Sequence, residues 1–307
     1  MGRNYCLGAP TAIVCSFLTH YSVVKAANLL GVGIKPKKNG GLHLLGADNH
    51  GRILLDQLKD RVYSLAKNGV VNVIIVGNAG ATMLGSVDNI PAMNDIIERA
   101  SGLFPITNFH FHVDAAMGGF IIPFIAGIPH IGFENSKVCS ATIDVHKLGL
   151  APYGSGIILA RRGLFERIKS IAPYVPGNDS TLCGSRAGVM ALSCWAVMRK
   201  LGKSGYAKNA RNFMNLVCYA QERLGELGIE TFSSDINVVA VRQSFPSLLN
   251  KKFITHVQES FPADLSRPFS GNKRCVWNIV VMSHTTKELL GELFSDLSEL
   301  KRRGECR

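Results

Sequence analysis

A carboxylate and a lysine lie about thirty residues apart in this chain, each directly after a strand-like run. Asp114 stands in His-Val-Asp-Ala-Ala at 112–116, and Lys147 ends Ile-Asp-Val-His-Lys at 143–147. A lysine amine forms a Schiff base with pyridoxal phosphate, while a carboxylate pairs with the pyridinium nitrogen and lets the ring accept electrons. The pair therefore predicts pyridoxal-phosphate chemistry at the mouths of neighbouring strands.

Small residues follow both groups. Asp114 precedes Ala-Ala-Met-Gly-Gly at 115–119, and Lys147 precedes Leu-Gly-Leu-Ala-Pro-Tyr-Gly-Ser-Gly at 148–156. Such segments leave room for a flat ring and let backbone approach a ligand closely. The alternatives are a carboxylate that caps local structure and a lysine on the surface.

Strand and helix patterns alternate through the first half of the chain, which predicts an α/β fold with a mostly parallel sheet and helices on both faces. Ligands in such folds bind at the carboxyl ends of the strands, here the loops after residues 76, 113 and 143. Ser22 is expected to cap its helix. Strands are predicted at 12–17, 70–76, 109–113, 137–143 and 156–160, and helices at 22–30, 54–66 and 91–100.

The pattern changes after about residue 188. Long helical patterns at 189–201 and 206–227 precede strand-like runs and a last helix at 287–300. The strand-like runs cover 236–242 and 276–282. We therefore predict a large domain over residues 1–195 and a small α+β domain over 196–307.

Bulk properties exclude several classes of protein. Apolar residues make up 47% of the 307 positions and charged residues 18%, which is typical of a globular chain. The net charge of +12 is dispersed, which favours a solvated surface over a nucleic-acid site and leaves a positive rim for an anionic ligand as an alternative. The eight cysteines lack metal-site spacing, which predicts reduced thiols in a cytoplasmic protein without a metal. Neither a signal peptide nor a membrane span is indicated.

Three segments carry a family resemblance. They are His-Val-Asp-Ala-Ala-Met-Gly-Gly-Phe at 112–120, Ser-Ala-Thr-Ile-Asp-Val-His-Lys-Leu-Gly-Leu-Ala-Pro at 140–152 and Thr-Leu-Cys-Gly-Ser-Arg-Ala-Gly at 181–188. The chain resembles the group II pyridoxal-phosphate decarboxylases, most closely the archaeal tyrosine/aspartate decarboxylase branch, with sphingosine-phosphate lyase as a near relative. The resemblance implies fold type I, a homodimer and decarboxylation of a tyrosine- or aspartate-like amino acid.

The resemblance also implies roles around the cofactor ring. Thr-His-Tyr-Ser-Val-Val-Lys-Ala-Ala at 19–27 is similar to the segment whose histidine stacks on the ring, which points to His20. Thr82 matches a threonine that contacts the cofactor, although Ala81 departs from the family's Gly-Thr-Thr turn. Ala116 is expected to pack against the ring face.

Further roles concern the phosphate and the proton. Ser140 and His146 match positions near the phosphate and the Schiff base. Tyr174 matches a mobile loop and would return a proton to the substrate carbon, or is simply an exposed aromatic. His146 is the other candidate proton donor. Arg186 would bind a carboxylate or phosphate, or form an ion pair.

One departure from the family leaves alternatives open. The chain contains no Ser/Thr-Gly-Gly-Thr-Glu-Ala-Asn-like turn of the kind that cradles the cofactor phosphate. A separate chain supplies the turn, or the sequence is truncated, or the phosphate is held differently. The missing turn motivates one competing function, an inactive paralogue or partner subunit. The other is a carbon–carbon lyase of the sphingosine-phosphate type, favoured by Ala-Pro-Tyr-Gly-Ser at 151–155.

Overall fold

A mostly parallel sheet organises the first half of the computed structural model, which describes residues 8–171, 178–243, 245, 249, 252–253 and 255–304. Within these residues the strand order is β2-β1-β3-β4-β5-β6, and every pairing is parallel except that of β5 with β6. The strand bounds are Thr11–Ser16 (β1), Gly41–Leu45 (β2), Asn72–Asn78 (β3), Asn108–Asp114 (β4), Val138–Ile143 (β5) and Ile157–Ala160 (β6). The sequence does not indicate β2, because Gly-Leu-His-Leu-Leu is short and has no β-branched residue.

Helices cover both faces of this sheet, as predicted. Helices α2 and α3 pack on the face that carries Val14, Ile75 and Phe111. The opposite face carries Ile13 and Cys15, which cluster with Ala27 of α1. The helix bounds are Ser22–Leu29 (α1), Leu55–Lys67 (α2) and Ile90–Leu103 (α3).

The start of α1 differs from the prediction. Tyr21, not Ser22, is the residue at the N-cap, and it makes no side-chain capping bond. The Ser22 hydroxyl lies 2.9 Å from Nδ1 of His20 instead. The Ser22 side chain therefore bonds the neighbouring histidine and not a backbone N–H of the helix.

The rest of the described chain combines long helices with a small antiparallel sheet. Its order is β10-β11-β9, and a two-stranded ribbon of β7 and β8 precedes it. Helix α4 contains one non-helical residue, Gly202 at φ 56°, which explains why the sequence predicts two helices there. The predicted domain boundary near 195 falls inside α4 and stays a prediction. The bounds are Ser170–Ile171 (β7), Asn178–Asp179 (β8), Gly188–Glu226 (α4), Val238–Val241 (β9), His256–Pro262 (β10), Lys273–Val280 (β11) and Lys287–Arg302 (α5).

Two histidines interrupt an apolar face of the large sheet. His110 and His112 are alternate residues of β4, so both side chains lie on the face opposite Phe111. The Ser140 hydroxyl of β5 lies 2.9 Å from Nε2 of His110 and 2.8 Å from Nδ1 of His112. Burial lowers the pKa of both imidazoles, that of His110 to about 4. The charge of His112 lowers the pKa of His110 further, while the Asp114 carboxylate partly opposes the effect of burial at His112. Both rings are therefore neutral near pH 7.

The lowered pKa of His110 predicts acid sensitivity of the fold. Because the folded value of about 4 lies below the ordinary 6.5, the contribution to stability is present above pH 6.5 and is lost as the pH falls towards 4. We expect His110→Gln, which keeps an amide donor without titrating, to flatten the decline in unfolding free energy between pH 7 and 4.5. The full effect is at most about 3 kcal/mol.

Urea unfolding at several pH values measures this change. His130→Gln is the matched control, because the His130 side chain is 89% exposed and should leave the pH profile unaltered. Superimposable profiles for wild type and His110→Gln would contradict the assignment.

Candidate active site

A cavity of about 310 Å³ opens where β3, β4 and β5 end. This size is at the lower limit for sites that hold a small-molecule ligand. Its polar lining comes from the strand ends and from the segment before α1. The lining residues are His20, Ser22, Val23, Asn78, Gly80, Ala81, Thr82, His112, Asp114, Ala116, Met117, Thr142, Asp144 and Lys147.

Lys147 lies in a tight turn directly after β5. Its Nζ donates to Oδ2 of Asp144 at 2.9 Å, and both side chains are partly buried. The turn is held from outside by Tyr206 of α4, whose buried hydroxyl donates to the Gly149 carbonyl at 2.9 Å. A carboxylate thus holds the amine at the cavity, and a remote helix fixes the backbone that carries it.

Asp114 is the last residue of β4 and lies in register between Asn78 of β3 and Thr142 of β5. Its Oδ1 accepts the backbone N–H of Ala116 at 3.1 Å. Backbone bonds continue past the strands, since the Asp114 carbonyl accepts from Ala79 N–H at 2.8 Å. The carboxylate is therefore held by its own turn, and the strand end that carries it is bonded to the loop after β3.

Gly118 permits the close approach of these loops. A Cβ at this position would lie 2.2 Å from the carbonyl oxygen of Ala79, which no side chain tolerates. The Gly118 N–H donates to that same oxygen at 2.9 Å. The small residues after Asp114 thus serve loop packing as well as space in the cavity.

The predicted ring contacts His20, Thr82 and Ala116 all line this cavity. The His20 ring lies 4.3 Å from that of Tyr21, and its Nδ1 accepts from Ser22 N–H at 3.4 Å. The Thr82 carbonyl accepts from Nδ2 of Asn278, a buried residue of β11, at 3.2 Å. The small sheet thereby holds the loop that bears Thr82.

Two predicted cofactor contacts lie elsewhere. Ser140 and His146, which the resemblance places near the phosphate and the Schiff base, are absent from the described lining, and their roles stay predictions. Ser140 is one pleat further from the strand end and bonds the two histidines of β4. His146 donates from Nδ1 to the Ser155 carbonyl at 2.8 Å, which turns its ring towards Tyr153. Its Nε2 still approaches Oδ2 of Asp144, at 3.8 Å.

Two further predictions concern Tyr174 and Arg186, which precede α4 in the sequence. Tyr174 lies outside the described residues. Arg186 is exposed and lies directly before α4, at a distance from the cavity lining. The roles assigned to both residues by resemblance stay predictions.

Four lining residues escaped the sequence reasoning: Asn78, His112, Thr142 and Asp144. Asn78 is the last residue of β3, Thr142 is the next-to-last residue of β5, and Asp144 follows β5 directly. His112 stands two positions before Asp114, so both side chains lie on the same face of β4. The alternation of side chains along a strand could have indicated His112 and Thr142. The ion pair of Asp144 with Lys147 depends on a turn that periodicity does not predict.

The lining suits pyridoxal phosphate at its ring end. A lysine amine, a carboxylate and an imidazole face one space, which is the donor set that this cofactor requires. Nδ2 of Asn78 is buried and has no hydrogen-bond partner within the described structure, so a ligand acceptor would satisfy it. Lys147 is the one cationic residue of the described lining, which leaves the phosphate without a dedicated cation there.

Two further observations concern the described part of the chain. It contains no cluster of three or more His, Cys, Asp or Glu residues suited to a metal ion. None of its helices is long and apolar enough to cross a bilayer.

Known proteins similar to this chain share its cofactor chemistry. The chain is 34% identical over 291 residues to a probable L-aspartate decarboxylase of Pyrococcus abyssi, an alignment that covers 92% of this chain and 68% of the relative. It is 29% identical to a tryptophan decarboxylase of Clostridium sporogenes, which covers 95% of this chain and 65% of the relative. The chain thus spans about two thirds of the length of these relatives.

Solved structures share the fold. L-methionine decarboxylase from Streptomyces sp. 590 superimposes with a TM-score of 0.79 at 20% identity, over 94% of this chain and 70% of the other. Sphingosine-1-phosphate lyase from Burkholderia pseudomallei gives a TM-score of 0.74 at 20% identity, over 98% of this chain and 64% of the other. The predicted fold type I is confirmed.

A family model settles the relationship. The model described as the pyridoxal-dependent decarboxylase conserved domain matches residues 3–245, well over half of the chain. This match confirms the predicted family and, with it, pyridoxal phosphate as the cofactor class. The chain belongs to the pyridoxal-dependent decarboxylase family.

Proposed function

We propose that this chain removes the carboxylate of an L-amino acid, aspartate-like or tyrosine-like, and releases the amine. The observation that carries the proposal is the meeting of Lys147, Asp114 and His20 on one cavity at the strand ends. The names of the similar proteins, which are amino-acid decarboxylases, support the same reaction class.

Each of these residues has a definite task in the proposal. Bound pyridoxal phosphate supplies the electron sink for the bond that breaks. Lys147 binds it covalently through Nζ, and Asp144 stabilises that nitrogen whenever it is charged. Asp114 holds a proton on the ring nitrogen, while His20 and Ala116 confine the ring from its faces.

Return of a proton to the substrate carbon is assigned by resemblance to Tyr174 or His146. Nδ1 of His146 is committed to the Ser155 carbonyl, so only its Nε2 could serve, through the Asp144 carboxylate. Tyr174 lies outside the described residues and stays the other candidate by resemblance.

Incubation with a mixture of all proteinogenic amino acids tests the activity and identifies the substrate. Mass spectrometry should detect one new amine with loss of carbon dioxide. An aldehyde product from a phosphorylated amino alcohol would support the second candidate, the carbon–carbon lyase. The Ala-Pro-Tyr-Gly-Ser segment at 151–155 favours that candidate.

We further propose a homodimer in the cytoplasm. The family resemblance motivates the dimer, and α4 offers exposed apolar side chains for it, including Leu192 (60% exposed) and Trp195 (59%). Free thiols at Cys139 and Cys183 suit a reducing compartment. Light scattering of the full chain measures the oligomeric state, and a monomer would contradict this proposal.

Lys147→Ala should abolish covalent cofactor attachment and activity, because no other lysine lines the described cavity. Borohydride reduction followed by peptide mass spectrometry should find the pyridoxyl group on Lys147 in the wild type. Lys67→Ala, an exposed change on α2, is the control and should behave as wild type. Wild-type protein that takes up no cofactor would favour the inactive-paralogue alternative.

Asp114→Asn should lower kcat by about 10²–10³-fold, because it removes the charge that stabilises the protonated ring nitrogen. Attachment of the cofactor to Lys147 should persist, which separates this effect from loss of binding. Asp95→Asn, an exposed change on α3, serves as the control. Equal kcat values for Asp114→Asn and Asp95→Asn would exclude the assigned role.

A further inference from the structure

Four side chains form a continuous polar row beneath the cavity. His110 and His112 both contact the Ser140 hydroxyl, as described above. Nε2 of His112 lies 3.2 Å from the hydroxyl of Thr142, which lines the cavity. The row therefore runs from within the sheet to the rim where Asp114 lies.

Proton counting allows this row two arrangements. Ser140 carries one hydroxyl proton and lies between two imidazole nitrogens, so it donates to one and accepts from the other. In the first arrangement His110 and His112 both carry their proton on Nε2, and Thr142 is left to donate into the cavity. In the second both carry it on Nδ1, and the Thr142 hydroxyl donates to His112.

Mixed arrangements are costly. If both imidazoles donated to Ser140, its own proton would lack an acceptor among the described contacts, and an unsatisfied buried donor is unfavourable. Because burial lowers the pKa of His110 and of His112, both imidazoles are neutral near pH 7 and neither carries a second ring proton. The two histidines must then change tautomer together.

Asp114 selects between the arrangements. Thr142 stands opposite Asp114 in register, and His112 precedes it by two positions on the same face. Among the other charged or titratable lining groups, Asp144 is paired with Lys147, and His20 belongs to the segment before α1. A negative charge on Asp114 favours the first arrangement, in which every dipole of the row points its positive end towards the cavity.

We propose that His110, Ser140, His112 and Thr142 form one hydrogen-bond relay whose direction is set by the negative charge of Asp114 at its cavity end. The relay deepens the proposed function, because a charged Asp114 is what the cofactor's ring nitrogen requires. No group is transferred, and only hydroxyl and ring protons exchange partners along the row.

Nitrogen-15 NMR of the histidine rings in the full-length, cofactor-free chain tests the relay, because the two tautomers give distinct ring shifts. We expect His110 and His112 to carry the proton on Nε2 in the wild type. In Asp114→Asn the preference should fall by about tenfold at both rings, because the charge that orients the row is lost.

Ser140→Ala should separate the two rings, so that replacing Asp114 alters His112 and no longer alters His110. Thr142→Val, which removes only the hydroxyl contact, provides a second test if Ser140→Ala folds poorly, and it should weaken the response of both rings to Asp114→Asn. Ser101→Ala is the matched control, because that hydroxyl bonds within α3 and should leave every ring unchanged.

Two results would overturn the relay. One is a His110 tautomer preference that Asp114→Asn still changes in the Ser140→Ala background. The other is a tautomer preference of both rings that Asp114→Asn leaves unchanged in the wild-type background. These outcomes are independent of catalysis. A chain with coupled rings and no amine product would retain the relay and lose the proposed function. A chain that releases an amine but whose histidine rings are not coupled would retain the proposed function and contradict the relay.

Discussion

The register of three parallel strands decides where every candidate group lies. Asn78, Asp114 and Thr142 stand side by side at the ends of β3, β4 and β5. Because side chains alternate along a strand, a slip of one residue in β4 would turn Asp114 and both histidines towards the apolar face under α2 and α3. The buried Phe111 and Val113 prevent that slip, since they would then have to face the cavity. Hydrophobic burial on one face thus fixes polar chemistry on the other.

Much of this arrangement could be predicted from the chain. Runs of β-branched residues mark the strands, and the positions of Asp114 and Lys147 directly after such runs place both at one sheet edge. Contacts between distant segments could not be predicted. The hydroxyl of Tyr206 supports the Lys147 turn from α4, and Asn278 holds the Thr82 loop from the small sheet. Nothing local to either residue distinguishes it from an ordinary core or strand residue.

The missed strands have a related cause. Strand β2 pairs on one side only, and β10 is a largely exposed edge strand with an irregular register between Gln258 and Phe261. Edge strands need neither alternating nor continuous apolar residues, so their sequences carry a weak signal. The Ser22 cap failed for a different reason, because its hydroxyl bonds the neighbouring imidazole of His20 and not a backbone N–H of the helix.

Charge sets the last constraint on the site. The described lining carries two carboxylates, Asp114 and Asp144, against the single ammonium of Lys147. Covalent attachment of a cofactor through Lys147 would replace its free ammonium group. The cofactor would also bring a phosphate, which is negatively charged. In the proposed function Asp114 would stabilise a protonated ring nitrogen, while the lowered pKa of His112 keeps that imidazole neutral. The phosphate end requires compensation by backbone amides or cations beyond the described lining, in keeping with the net charge of +12 spread over the rest of the chain.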